Sequence, residues 1–243
     1  MSIRGRAGQS AFRRARELRR AHLLAASKWG SYAGGITVLA SGGLFRDTAV
    51  SVATGAAAAV GTAVWRSTKP SGAKRWIQGA QAERRTGRAL KPLARSGWRV
   101  HHDLRVPKSK ANLDHVLVPP SGEFLVYVDT KAWHMKSSNG TPADVRWDGR
   151  RLMYGNRFDN TAKLRTVEWE AERLAAETGM RVIPVIAVEG ARVSDLGILV
   201  DNVRVVGVNS LIATLLGLEA TRRPNSRQSR NASRAVELKF AAA

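Results

Sequence analysis

No cysteine occurs among the 243 residues of this chain. That excludes a disulfide framework and a thiolate-bound zinc, and it agrees with a reducing compartment. Acids are the next scarcity. Nineteen Asp and Glu face 40 Lys and Arg, a formal net charge of +21. A surface so basic attracts polyanions, either nucleic acid or anionic lipid, and composition alone does not choose between them. The imbalance is uneven along the chain. Residues 1–28 set Arg4, Arg6, Arg13, Arg14, Arg16, Arg19, Arg20 and Lys28 against Glu17 alone, and beyond Thr221 five Arg and Lys239 stand against Glu237. Charge of either sign is missing from Ala33–Phe45 and from Ala49–Trp65.

These two apolar runs, separated by Arg46-Asp47-Thr48, predict a two-helix transmembrane hairpin over residues 29–65. Each is near the lower end of what spans a bilayer, roughly 17 residues or about 26 Å as a helix. Trp29, Tyr32 and Trp65 stand where aromatic side chains favour the lipid–water boundary, and basic residues flank the pair on both sides. That arrangement puts both termini, and the domain that follows, on the cytoplasmic face of the cell membrane. Gly34, Gly35, Gly42, Gly43, Gly55 and Gly61 would let the helices approach closely. The alternative is an Ala/Gly-rich helical pair packed on a soluble domain. Within the basic segment 1–28, residues 11–27 read as an amphipathic helix lying on anionic headgroups.

A turn-rich linker, residues 66–73, leads into an α/β domain expected over residues 74–220. Lys74–Ser96 reads as a helix bent at Pro92 and ended by Gly97, followed by a strand over Trp98–Leu104. Asn112–Lys131 reads as a strand hairpin. Asn160–Gly179 is a helix, Arg181–Val188 and Val203–Val208 are strands, and Ser210–Leu218 is a last helix. This order predicts a mixed sheet flanked by helices. Residues 221–243, rich in Arg, Ser and Asn, are expected to form a disordered basic tail.

The chemistry concentrates on the hairpin. Residues two apart on a strand share a face, so Asp129 and Lys131 point the same way. A turn centred near Pro120-Ser121 would set Asp114 opposite Tyr127 and diagonal to Asp129, about 7 Å away across the ladder. The two carboxylates and the Thr130 backbone carbonyl are hard oxygen ligands suited to Mg2+ or Mn2+. Such an ion polarises a phosphodiester and activates water, and Lys131 would neutralise developing charge. Glu83, on the preceding helix, is a further ligand or positions the ion's water. His101, His102, His115 and His134 cluster in sequence and read as polar or phosphate-contacting groups rather than zinc ligands, and Trp133 as a base-stacking or core side chain.

Glu on an early helix, Asp on a strand and acid-x-Lys on the next strand resemble the PD-(D/E)XK nuclease superfamily. The closer resemblance is to the nuclease-related domain (NERD) family. It is carried by Gly79-Ala-Gln-Ala-Glu83, Val100-His-His-Asp103-Leu, Leu113-Asp114-His115-Val and Gly122-Glu-Phe-Leu-Val-Tyr-Val-Asp129-Thr-Lys131-Ala-Trp, and covers roughly residues 74–190. The resemblance implies a restriction-endonuclease-like fold and a Mg2+-dependent DNA nuclease, with Glu83, Asp114, Asp129 and Lys131 as its working residues. Ala82 departs from the second Gly usual before the early Glu, Asp129 replaces the usual Glu, and no Asn-Pro-x-x-Gln-like element is evident near Asn156–Lys163. The implied partners are DNA, membrane lipid through residues 1–65, and a second copy of the chain. An inactive nucleic-acid-binding module or a membrane-surface scaffold of the same fold is the competing reading.

Overall fold

A computed structural model describes residues 3–45, 47–155 and 157–241. Arg46, expected in the helical turn, and Asn156, in the segment searched for an Asn-Pro-x-x-Gln-like element, lie outside the described residues. The chain divides into two compact units, Met1–Ser10 with Gln78–Ala243, and Ala11–Ile77. The helical unit is thus inserted into the chain of the other. Ten N-terminal residues expected in a basic leader belong to the α/β unit.

The inserted unit is built on α1 (Gln9–Phe45) and α2 (Thr48–Ser67). No break separates the basic and apolar halves of α1. The expected turn falls in place because Asp47 caps α2, accepting the N–H of Ala49 at 2.8 Å and of Val50 at 3.3 Å. The helices pack antiparallel through small residues. A Cβ on Gly34 would lie 2.8 Å from the Ala59 Cβ and from the Gly55 carbonyl oxygen, and one on Gly55 would strike Val38. Gly35 and Gly61 have nothing within 4 Å and take no part in the contact. Outside the seam the hairpin is apolar and exposed: Leu39 is 80 % and Ile36 68 % accessible. Among the described residues only α2 is a helix both long and apolar enough to cross a membrane.

The α/β unit centres on a seven-stranded mixed sheet ordered β1-β2-β3-β4-β8-β10-β9. Its strands are β1 (Ile3–Arg4), β2 (Arg99–Arg105), β3 (Asn112–Val118), β4 (Leu125–Ala132), β8 (Val182–Glu189), β9 (Ile198–Val200) and β10 (Val203–Gly207). β2, β3 and β4 form an antiparallel meander, while β4–β8 and β8–β10 are parallel. β4 lies between β3 and β8 and is buried from Leu125 to Thr130, which is why it reads as an almost continuous apolar run. Between β4 and β8 come a small sheet, β5 (Val145–Trp147), β6 (Leu152–Tyr154) and β7 (Phe158–Asp159), and then α4 (Thr161–Thr178).

Helices cover both faces. One core joins Tyr127, Val116 and Ile186 of the sheet to Leu164, Val167 and Leu174 of α4. The other joins Val126, Val128 and Leu117 to Leu90, which caps the 3-10 turn Lys91–Ser96, to Leu93 within that turn, and to Leu211 and Leu215 of α5 (Leu211–Glu219). The helix expected over Lys74–Ser96 ends as α3 at Ala89 (Ala73–Ala89), and Pro92 sits in the 3-10 turn that follows.

The tail is a correction. Ser226–Lys239 form α6, whose Ala232 and Val236 enter the α4-side core together with Phe240. Three apolar side chains four residues apart make too thin a stripe to fold alone. Here β3 and α4 supply the apolar surface they meet, and Asn225 caps the helix through the Gln228 N–H at 3.0 Å.

Candidate active site

The hairpin register differs from expectation by two residues. His115 pairs with Val128, Val116 with Tyr127 and Leu117 with Val126, so the turn centres on Ser121-Gly122. Gly122 explains the shift, because its φ of +70° supplies the left-handed residue of the turn. A slip of two preserves the face of every side chain. Asp114 is the residue just before the paired segment of β3, and Asp129 is the residue just after that of β4. The ladder ends there, and the Asp114 Oδ2 accepts the Thr130 N–H at 2.8 Å in place of a backbone carbonyl. The Thr130 carbonyl lies on the same side of its strand as that N–H.

Lys131 closes the pair. Its Nζ donates to the Asp129 Oδ1 at 2.8 Å and stands 2.7 Å from Oδ2. The latter contact lacks hydrogen-bond geometry, so Oδ2 is a buried carboxylate oxygen with no donor. Burial pushes the Asp129 carboxyl above the usual range, and Lys131 and Lys163 pull it partly back. Burial also raises Asp114 well above that range, and the Glu83 and Asp129 charges add to it. Burial works against the Lys131 ammonium, but Asp129 and Asp114 more than offset it, leaving its pKa above the ordinary lysine value.

Glu83 comes from α3. Burial, then the Asp103 and Asp129 charges, raise its pKa from 4.5 to about 8, against the Lys131 charge and a hydrogen bond from the Gly8 N–H. The buried His115 donates to the Glu83 backbone carbonyl, fixing the helix to the strand that bears Asp114. The four residues expected from the sequence are therefore electrostatic neighbours at one edge of the sheet. Among the described residues, however, no three His, Asp or Glu side chains already form a shell able to hold a metal.

Sequence reading missed Glu170. It is 8 % accessible on α4 and accepts a hydrogen bond from the Tyr127 hydroxyl at 2.8 Å. Burial and then the Asp129 charge raise it to about 7. The available signal was an acid inside the apolar stripe Leu164, Val167, Ala171 and Leu174. Asp103 is buried with φ +53° and is committed elsewhere, receiving the Ser10 N–H and hydroxyl at 2.7 Å each. The histidines were expected in polar or phosphate-contacting roles, and the structure shows polar contacts. His101 meets the Ser233 hydroxyl at 3.0 Å, and the His102 and His115 Nδ1 atoms stand 2.8 Å apart; all three are buried. His134 is half-exposed and pairs with Glu189 at 2.8 Å. Trp133 stacks on Tyr154 in the core, ring centroids 5.2 Å apart.

Residues 78–191 match the family model of the nuclease-related domain. This segment is a nuclease-related domain. The match holds Glu83, Asp114, Asp129, Lys131 and Glu170, and leaves β1, β9, β10, α5 and α6 outside it. No curated protein and no solved structure matches the chain.

A divalent ion fits the nuclease-related domain's donor set. Hard carboxylate oxygens, one without a donor, crowd where their mutual repulsion disfavours ionisation. The crowding has a thermodynamic consequence. The folded protein holds the Glu83 proton up to about pH 8, whereas the unfolded chain releases it near 4.5. Its stabilising contribution is therefore complete below the unfolded value and is lost as pH rises through the folded one. His102, lowered to about 4 by burial and the His101 charge, works oppositely but only on the acid side. The melting temperature in chelator should thus fall between about pH 7 and pH 8.5, and Glu83→Gln should flatten the fall. An equally steep fall in the variant would show that Glu83 is not the titrating group.

Proposed function

We propose that this protein is a membrane-tethered, divalent-metal-dependent nuclease that hydrolyses DNA phosphodiester bonds. The observation that carries the reading is the meeting of Asp114, hydrogen-bonded to the Thr130 N–H, with Asp129 and its partner Lys131, inside a nuclease-related domain. Asp114, Asp129 and the Thr130 carbonyl would hold Mg2+ or Mn2+, with Glu83 as a further ligand or as the group that positions its water. When bound, the ion supplies Lewis-acid polarisation of the phosphodiester and a water of lowered pKa. Lys131 keeps its proton and offsets charge that accumulates on the phosphoryl oxygens. Glu170 and Tyr127 fix the wall behind Asp129. The full-length protein should nick plasmid DNA when Mg2+ or Mn2+ is added and stop in EDTA. Intact plasmid under every divalent metal would refute the enzymatic reading.

The tether rests on the exposed apolar surface of α1 and α2 and on the basic residues flanking them. Trp29 and Trp65 carry Arg66 and Lys69 over their rings at 4.3 and 4.4 Å, pairings suited to a headgroup boundary. An integral hairpin with the nuclease-related domain on the cytoplasmic side should stay with membranes in sodium carbonate and leave them only in detergent. Release by carbonate or high salt would reject it.

A further inference from the structure

The C-terminal helix lies outside the family-matched segment, and its charge has no use in the fold. Asn225 N–H bonds to the Pro120 carbonyl at 2.9 Å, and Arg105 N–H bonds to the Ala241 carbonyl at 2.9 Å. α6 therefore runs the length of the meander, from the β3–β4 turn to the edge where β2 ends and where Asp114 and Asp129 stand. Arg227, Arg230 and Arg234 recur at helical spacing and are all exposed, opposite the buried Ser229, Ala232, Ser233 and Val236. At the far end Lys239 joins Arg105, Lys108 and Lys110 around a concave space of about 550 Å³. Among the described residues none of these seven cations has an acidic partner. Lys108 is held at φ +56°, a conformation uncommon for lysine, in a turn pinned by Val106 N–H to the Ala111 carbonyl at 3.0 Å.

We propose that α6 and the β2–β3 turn form a phosphate-binding track that lays one strand of a nucleic acid along the domain and leads it to the edge bearing Asp114 and Asp129. Arg227 to Lys239 spans about 18 Å of helix, which corresponds to roughly five base-pair steps. A lipid surface fits less well. A helix that docks on a bilayer buries its apolar face there, but the apolar face of α6 is consumed by the core, and Leu238 alone stands exposed on it. The inference rests on the nuclease reading only for the identity of the polyanion.

The test is fluorescence anisotropy of full-length protein in detergent with a labelled duplex of about 20 base pairs, in EDTA, between about 50 and 200 mM salt. Replacing Arg227, Arg230 and Arg234 by Gln should weaken binding about tenfold or more and lower the salt slope by up to about 2.7, near 0.9 per lost phosphate contact. Lys110→Gln with Lys239→Gln should act in the same direction, and Arg→Lys changes at the three helix positions should keep most of the binding. Unchanged affinity and slope in both neutralised variants would overturn the proposal. So would a loss confined to phosphatidylglycerol vesicles with DNA binding intact. Loss of DNA binding in the variants of a protein that nicks DNA under no metal would sustain the track and reject the nuclease.

Discussion

Asp129→Asn and Lys131→Met should each reduce metal-dependent cleavage by at least about 10²-fold, the loss usual when one charged contact to a reacting centre is removed. The two variants fail for different reasons. Asn keeps the size of Asp129 but removes the negative charge, so the ion's hold weakens and raised metal concentration should recover part of the rate. Met removes the one ammonium that, among the described residues, lies within hydrogen-bond reach of Asp129. Asp114, Asp129 and Glu83 then face one another without it, and each is pushed further toward its protonated form. Added metal should restore binding in this variant but not rate, because compensation at the phosphoryl oxygens is gone. Cleavage of plasmid DNA against metal concentration, with melting temperature as the fold control, separates the cases. Wild-type rates in both variants would remove Asp129 and Lys131 from the chemistry.

Much of this site was legible because strand alternation is insensitive to even errors. The turn was read one position early, an even slip in pairing that keeps Asp129 and Lys131 on one face and leaves Asp114 hydrogen-bonded to the Thr130 N–H. Helix ends at Gly97 and Gly179 were legible because both adopt left-handed backbone there, at φ +85° and +68°. Contacts between distant segments left no such trace. Ile3–Arg4 pair with β2, a strand about a hundred residues further on, and a two-residue segment is too short to carry a strand pattern. Glu170 interrupts the apolar stripe of α4, but its partner Tyr127 lies 43 residues earlier on β4 and nothing in the helix pattern names it. The tail looked too polar to fold because the apolar surface that its few apolar side chains meet belongs to distant segments, β3 and α4. The histidines were legible as polar contacts but not in their placement: proximity in sequence suggested a shared site, whereas β2 and β3 turn three of them into the interior, where burial pushes His102 and His115 down.

The largest loss of stability should come from Gly122→Ala. The residue sits at φ +70°, where an L side chain costs about 1–2 kcal/mol. Its Cβ would also strike the Ser229 backbone nitrogen and lie 2.6 Å from the Gln228 carbonyl carbon and 2.7 Å from the Ser229 Cα. These are backbone atoms of the first turn of α6, so no rotamer relieves the overlap. The turn is held from a second side as well, since Ser121 donates its N–H and its hydroxyl to Glu219 at 2.6 and 3.0 Å. Relief therefore requires α6 to lift, and its apolar face leaves the core with it. Strain and lost packing together should cost on the order of 3 kcal/mol, a fall of roughly 6–12 °C in melting temperature for a domain of this size. Gly140→Ala is the control, because it has φ +79° but nothing within 4 Å of the added carbon; it should lose only the backbone share. Trypsin reports where the strain goes. Arg227 and Arg230 lie in the lifted turn and should be cut faster in Gly122→Ala than in wild type, while Arg173 on α4 should not. Equal melting temperatures for the two glycine variants would mean that the turn yields without α6, and that the β3–β4 register is not clamped from this side.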